Sequence, residues 1–367
     1  MPHFDIIRRT APKNSFRVAS VMGTYDLQER NVEERFIGDI DLPKEWHIGL
    51  IVGRSGTGKT TIARELFGDN IIDGFKYTHD NILDDMPKDV ATNDIFKAFN
   101  ACGFSSPPSW LKPYNVLSNG EKMRCDIARA MLEHRDLFCF DEFTSVVDRD
   151  VAQIASFAIQ KAIRKRGGQF IAVTCHYDVQ DWLMPDWVFN TDTMTFSLID
   201  EETQKKNRPA INLQFYKIAA GEKEYYWRIF RKYHYLSHSF NKAAHTFVCT
   251  CNGKIAAFHS VLHFMHPKKK NTCIGHRLVV LPDYQGVGIG MVLSNFVAEY
   301  FAQRGKTYIY TTSSPAMIKA CSRDPHWRIT RVNRLTTSSV SGLIQNKNIK
   351  GSTSSARITA GMEYRRT

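Results

Sequence analysis

The chain has 367 residues, 43% hydrophobic and 23% charged, enough for two cores of ordinary globular composition. It contains no run of about 18 or more apolar residues, which speaks against a membrane-spanning helix, and Met1 to Arg17 carries charges throughout, unlike a secretory signal. The net charge of +12 is unevenly spread: residues 1–206 hold 25 Lys and Arg against 31 Asp and Glu, and residues 207–367 hold 24 against 6. So basic a second half predicts a polyanionic partner, DNA or RNA before a membrane surface. The alternative is that part of the charge serves a phosphate-bearing cofactor and the rest is solvated. The eight cysteines are scattered singly except for Cys249-x-Cys251, without zinc-type pairs. Reduced thiols and a cytoplasmic setting are the expectation.

Taken in order, Phe16 to Met22 reads as a strand, and Glu33 to Leu42 as a strand and turn leading to the apolar run Gly49 to Val52. That run feeds Gly53-Arg-Ser55-Gly56-Thr-Gly58-Lys59-Thr60-Thr61 and then a helix-forming stretch to Leu66. Strand, glycine-rich loop and helix form the context of a P-loop. The glycines let successive N–H groups face one anion, and the helix N-terminus adds its dipole. Lys59 is placed to reach the β- and γ-phosphates of ATP, and Thr60 to hold Mg²⁺. Gly68 to Pro87 is polar and irregular. Asp94 to Cys102 looks helical, Pro107, Pro108 and Pro113 punctuate a loop, and Asn119 to His134 is helical with an apolar side.

Leu137 to Phe140 is an apolar strand ending in Asp141-Glu142, a Walker B pattern. It offers Asp141 as a Mg²⁺ ligand through water and Glu142 as base for the attacking water. Val151 to Lys165 reads as an amphipathic helix, and Phe170 to Cys175 as a buried strand ending at His176. Strands alternating with helices indicate an α/β fold with a mostly parallel sheet.

Glu201 to Ala210 is charged, ends in Arg-Pro and sits where the charge balance flips, so it is read as a linker between a domain over 1–200 and another over 211–367. In the second domain Phe247 to Cys251, Lys254 to Phe264, His276 to Leu281, Thr307 to Thr312 and Trp327 to Val332 read as strands. Gly286 to Arg304 reads as a helix, Thr336 to Ser355 as a loop, and Arg357 to Tyr364 as a last strand. Gln285-Gly286-x-Gly288-x-Gly290 joins a strand to a long helix. It repeats the P-loop physics without the Lys-Thr pair, so it suits a pyrophosphate but not Mg²⁺–triphosphate chemistry.

These residues carry two family resemblances. With the P-loop, Leu117-Ser118-Asn119-Gly120-Glu121, the Walker B pair, Asp148 and His176 in order, residues 15–195 resemble the nucleotide-binding domain of ABC ATPases. The resemblance implies two copies meeting head to tail, each P-loop facing Ser118 and Gly120 of the other across ATP. Asp148 would then lie at the seam, and His176 would contact the γ-phosphate. Tyr25 is placed like the family's adenine-stacking aromatic, with a plain strand-end tyrosine as the alternative. Asn119 and Glu121 depart from the L-S-G-G-Q signature, and no glutamine stands between Thr61 and Leu117 where the family's Q-loop lies. That absence argues against a transport role and leaves Tyr77-Thr78-His79-Asp80-Asn81 as a substitute. Residues 212–365 resemble the GNAT acetyltransferases, whose [QR]-x-x-G-x-[GA] motif grips acetyl-CoA.

Tyr308, Tyr310, Ser313 and Ser314 are the candidates for acyl-transfer chemistry, each with a structural role as its alternative. The His234-Tyr235 element is similar to one in Mom-type phage proteins that modify DNA, and His266 to Lys270 is a turn suited to phosphate. Together the chain resembles an ABC-type P-loop ATPase domain followed by a GNAT-like mixed α/β domain, known in prokaryotes and phages. Three functions stay open at this point: a nucleic-acid acetyltransferase, a protein or small-molecule acetyltransferase regulated by the ATPase, and an ATPase with a non-catalytic nucleic-acid clamp.

Overall fold

The computed structural model describes residues 3–10, 15–27, 32–134, 136–207, 210–234, 239–334 and 358–366. Tyr235, the Thr336 to Ser355 loop and the Arg208-Pro209 end of the expected linker lie outside them. The chain divides into two compact units, Met1–Lys76 with Asp126–Pro209, and Tyr77–Cys125 with Ala210–Thr367. A single cut at 201–210 is what composition suggests; the segment Tyr77–Cys125 instead groups with the C-terminal half. Among the described residues no helix is long and apolar enough to cross a membrane.

In the first unit, strands β1 (His3–Thr10) and β2 (Val32–Asp39) pair antiparallel in a separate two-stranded sheet. The main sheet is built from β3 (Ile48–Val52), β4 (Ile71–Ile72), β5 (Leu137–Phe140), β6 (Gln169–Thr174), β7 (Trp187–Asn190) and β8 (Thr195–Leu198), in the order β4-β5-β6-β3-β7-β8. All pairings are parallel except β7 with β8. Every residue of β3 is buried, as a central parallel strand covered on both faces requires. Gly49 is needed there because a Cβ would lie 2.1 Å from the Trp187 ring. Trp187 in turn packs with Phe4, Phe36, Ile51, Ile62 and Phe189 in one cluster, each such burial contributing about 1.5–3 kcal/mol. The parallel order sets the C-terminal ends of β3, β5 and β6 side by side at one edge of the sheet, the edge where open α/β sheets bind ligands.

One expectation is corrected in this unit. Phe16 to Met22 is not a strand but part of a helix, Phe16–Thr24, because Ser15 caps its N-terminus by accepting the Val18 N–H at 3.2 Å. The stretch read as linker is helical over Glu201–Asn207. Asp200 accepts the Thr203 N–H at 2.7 Å, and the Gln204 amide donates to the Pro185 carbonyl at 2.9 Å. Charge alone could not distinguish an exposed docked helix from a tether.

The second unit holds a seven-stranded sheet of β9 (Leu213–Lys217), β10 (His245–Cys251), β11 (Lys254–His263), β12 (Thr272–Val280), β13 (Thr307–Thr312), β14 (Trp327–Arg334) and β15 (Ile358–Tyr364). Its order is β14-β15-β13-β12-β11-β10-β9. Only β12 and β13 pair in parallel, and they do so over Thr272–Ile274 against Thr307–Ile309. Beyond Ile274, β12 continues without β13 as its ladder partner, so the sheet opens at its centre. The helix Ile289–Ala302 covers the middle strands, with Phe301 stacked on Tyr308 at 6.3 Å. Trp227, Phe230, Phe258 and Val279 form a second cluster.

Candidate functional site

The P-loop follows β3 directly. Gly56 and Gly58 have φ of 86° and 85°, the left-handed region that glycine alone enters freely. Gly58 is the N-cap of the helix Lys59–Phe67, and a Cβ on it would meet the Phe36 ring at 2.4 Å. A Cβ on Gly53 would lie 2.1 Å from Thr191 Oγ1. The first intrahelical bond runs from Ile62 N–H to Gly58 C=O at 2.8 Å, so the N–H groups of Lys59, Thr60 and Thr61 are not used by the helix ladder. Ser55 is exposed at the crest of the loop. Lys59 is 8% exposed and its Nζ donates to the Arg54 carbonyl at 2.8 Å, which holds an ammonium inside the ring of amides.

Asp141 and Glu142 stand at the end of β5, one strand from β6 and two from β3. Glu142 has φ of 54°, a strained turn that its own N–H secures on Asp141 Oδ1 at 2.8 Å. Phe143 N–H donates to the Val173 carbonyl at 2.8 Å and ties this turn to β6. Ser145 Oγ donates to Glu142 Oε2 at 2.5 Å. His176, just past β6, has Nδ1 3.5 Å from Thr144 Oγ1. Burial first and the Arg149 charge second lower its pKa, which favours the neutral imidazole. Lys59, Thr60, Asp141, Glu142 and His176 therefore all emerge from one sheet edge. Asp148 caps the helix Arg149–Arg166 by accepting the Asp150 N–H at 3.0 Å. Tyr25 ends the helix Phe16–Thr24 and is 72% exposed, so the alternative of a strand-end tyrosine does not hold.

In the second unit, Ser118 and Glu121 form a reciprocal capping box at the start of the helix Asn119–Glu133. Glu121 N–H donates to Ser118 Oγ at 3.3 Å, and Ser118 N–H donates to Glu121 Oε2 at 3.1 Å. Ser109 Oγ also donates to Glu121 Oε1 at 2.8 Å. The glutamate that departs from the signature is thus half of the cap that fixes Ser118 and Gly120. In the segment considered as a Q-loop substitute, Tyr77 stacks on Tyr114 at 3.9 Å, and Thr78 N–H donates to the buried Asp85 at 2.9 Å.

The second glycine loop follows β12. Gly286 and Gly288 have φ of 92° and 90°, and Gly288 is the N-cap of Ile289–Ala302. Met291 and Val292 N–H groups both bond the Gly288 carbonyl, leaving those of Ile289 and Gly290 outside the helix ladder. Gly290 sits close over the strand, where a Cβ would be 3.2 Å from Val280 Cγ2. Gln285 Oε1 accepts the Ser105 N–H at 2.8 Å and its amide donates to the Val280 carbonyl at 2.9 Å. Its side chain shapes the loop.

Residues 212–322 match the Acetyltransferase (GNAT) family. The N-terminal half aligns with ABC proteins. It is 24% identical over 218 residues to the ABC transporter atnG of Emericella nidulans, covering 48% of this chain and 13% of the transporter. It is 21% identical over 185 residues to the ribosome protection protein VmlR of Bacillus subtilis, covering 45% of this chain and 33% of that protein. The chain joins an ABC-type ATPase region to a GNAT acetyltransferase domain. It spans a minor part of either curated relative's length. Among solved structures it is similar to the ribosomal-protein-S18-alanine N-acetyltransferase of Escherichia coli, at 17% identity, 42% and 93% coverage and a TM-score of 0.31. A dimeric bacterial ABC transporter cassette is similar at 15% identity, 45% and 89% coverage and a TM-score of 0.36.

Within the GNAT domain the acyl-transfer candidates separate. Tyr308 is 1% exposed and its hydroxyl lies 2.7 Å from His259 Nε2. His259 Nδ1 is 2.7 Å from the Arg277 carbonyl, an acceptor only, so Nδ1 carries the proton and Nε2 accepts from Tyr308. Burial pushes the His259 pKa down to about 4 and drives that of Tyr308 well above its ordinary value. The pair is a neutral core contact, the structural alternative given for Tyr308. Tyr310, on the same strand face, is 7% exposed. Ser313 is half-buried beyond β13, and Ser314 caps the helix Pro315–Cys321. His234 is buried against the Trp227 ring at 6.0 Å.

One residue escaped the sequence reading. His276 lies two residues past the last β12–β13 pair, where the sheet opens, and its Nε2 is buried with no hydrogen-bond partner among the described residues. Burial first and then Arg277 push its pKa to about 4, so it is neutral near pH 7. A lone histidine in an apolar strand offers no pattern that would single it out.

Proposed function

We propose that this protein hydrolyses ATP through paired ABC regions and uses its basic GNAT domain to transfer an acetyl group to nucleic acid. The observation that carries the reading is the pair of glycine-capped helix N-termini, at Gly58 and at Gly288, one in each unit. Each offers free backbone amides to an anion, and each fits a phosphate-bearing ligand of a different kind. Bound ATP with Mg²⁺ supplies a polarised γ-phosphoryl group. Lys59 would neutralise phosphate oxygens, while Thr60, and Asp141 through water, would hold the metal. Glu142 accepts the proton of the attacking water, and His176 steadies the γ-phosphate. Ser118 and Gly120 face the nucleotide of a second copy, with Asp148 at the seam and Tyr25 against the adenine.

Bound acetyl-CoA supplies a thioester. The amides of Gly286 to Gly290 hold its pyrophosphate. His276 Nε2 would be the group at the open sheet centre to accept the proton of the acceptor amine. The surplus of 18 basic residues over acidic ones in residues 207–367 supports a nucleic-acid acceptor.

The purified full chain should retard DNA or RNA with an affinity that falls steeply and linearly on a log–log plot against salt. Absence of any retardation at low salt would contradict the nucleic-acid acceptor.

A further inference from the structure

Arg124 lies in the helix that begins at Ser118 and Gly120, and it is fully buried, with no exposed surface. Its guanidinium donates to two backbone carbonyls of the turn before the acyl-donor loop: Pro282 at 2.8 Å and Asp283 at 2.9 Å. Its Nε has no partner among the described residues. The charges of Asp283 and Glu121 act against the desolvation of its guanidinium. A buried guanidinium satisfied mostly by neutral carbonyls adds little net stability, because desolvation offsets the bonds it makes. What it does supply is geometry, since the planar fork fixes two carbonyls at once in a way that an ammonium cannot.

The same turn is gripped from two further points of the segment Tyr77–Cys125. The Ser105 N–H donates to Gln285 Oε1, and Gly103, at φ of 80°, approaches so closely that a Cβ would lie 2.7 Å from the Gln285 carbonyl. At the other end of the path, Glu121 accepts from Ser118 N–H and from Ser109, three residues before Arg124 on the same helix. One helix thus carries Glu121, bonded to Ser118, and Arg124, bonded to Pro282 and Asp283, and the chain runs on from these through Gln285 to Gly286 and Gly288.

We infer that Arg124 is a positioning residue for the acyl-donor loop, and that through it nucleotide engagement at Ser118 and Gly120 regulates the affinity of the GNAT domain for acetyl-CoA. The inference rests on the function proposed above, in which those residues meet ATP and the Gly286–Gly290 amides hold CoA. Coupling of this kind is reciprocal: each ligand changes the other's affinity by the same factor.

The test is calorimetric titration of the full chain with acetyl-CoA, with and without Mg²⁺ and a non-hydrolysable ATP analogue, followed by the reverse titration. The wild type should show a change of about fivefold or more in acetyl-CoA Kd, matched in the analogue's Kd. Arg124→Lys should still bind both ligands but with the factor reduced below about twofold, an outcome a merely stabilising residue would not produce. Should that variant fail to fold, Gly103→Ala, which displaces Gln285 from the other side, should lower the factor likewise. Independent binding of both ligands to the wild type, or a full factor in Arg124→Lys, overturns the inference and leaves the proposed function standing. Failure of the wild type to bind acetyl-CoA in any state overturns that function first, and the inference with it.

Discussion

The two glycine loops are built alike and followed differently. Gly58 caps its helix at φ 85°, ψ 11°, and Gly288 at φ 90°, ψ 8°, so the backbone cradles are near copies on unrelated sheets. After Gly58 come Lys59 and Thr60, and at the neighbouring strand ends stand two carboxylates and an imidazole. Ile289, fully packed, follows Gly288, and the neighbouring open sheet centre carries His276. Backbone shape alone therefore makes an anion site. The side chain at the first helical position, with what the adjacent strands present, decides between phosphoryl chemistry and passive grip on a cofactor.

The comparison can be broken most sharply on the ATP side. Glu142→Gln should lower ATP hydrolysis by about 10²–10⁴-fold in a phosphate-release assay while nucleotide binding persists, trapping a dimer detectable by light scattering. A variant that stays monomeric with ATP would count against the paired arrangement. Lys59→Ala should cost about 10²–10³-fold in hydrolysis, and acetyl-CoA titrated without nucleotide should bind it as it binds the wild type. Loss of both ligands together would mean that the two cradles are not separate sites.

The GNAT core beneath the second loop gives the next largest effect. The His259 pKa of about 4 lies below its ordinary 6.5, so folding releases a proton from this group. Its stabilisation is present in full above pH 6.5 and declines as pH falls from 6.5 toward 4, by up to ~3 kcal/mol. Urea titrations at pH 7 and 4.5 measure this; His276 falls in the same window, and His259→Asn isolates the buried pair. Tyr308→Phe should destabilise by about 1–3 kcal/mol by leaving His259 Nε2 without a donor, read as a drop in Tm. Smaller still, Gly288→Ala should weaken acetyl-CoA by about tenfold through left-handed strain of ~1–2 kcal/mol, with ATP hydrolysis unaltered.

Much of the ATP-side arrangement was legible because it is local. The P-loop, the Walker B strand and His176 each sit at the end of an apolar run, and parallel strand order alone brings those ends to one edge. The helix at Phe16 was misread because its apolar residues alternate over a short span, although Ser15 was a cap signal in plain view. Glu121 looked like a defect in a signature, yet Ser118-x-x-Glu121 is also a capping box. For Tyr308 and Tyr310 the catalytic and structural readings stay open in the sequence, because alternation does not say which face of a strand is buried. Arg124 was not legible at all. A basic residue at helical spacing reads as solvated, and its partners lie about 160 residues away in sequence.

The most direct test of the central claim is transfer itself. The full chain would be incubated with isotope-labelled acetyl-CoA, ATP, Mg²⁺ and either DNA or RNA, the nucleic acid digested to nucleosides, and the products weighed by mass spectrometry. The expected result is a nucleoside carrying the labelled acetyl group, which also decides between DNA and RNA. Label found only on protein or small amines, or nowhere, would contradict it.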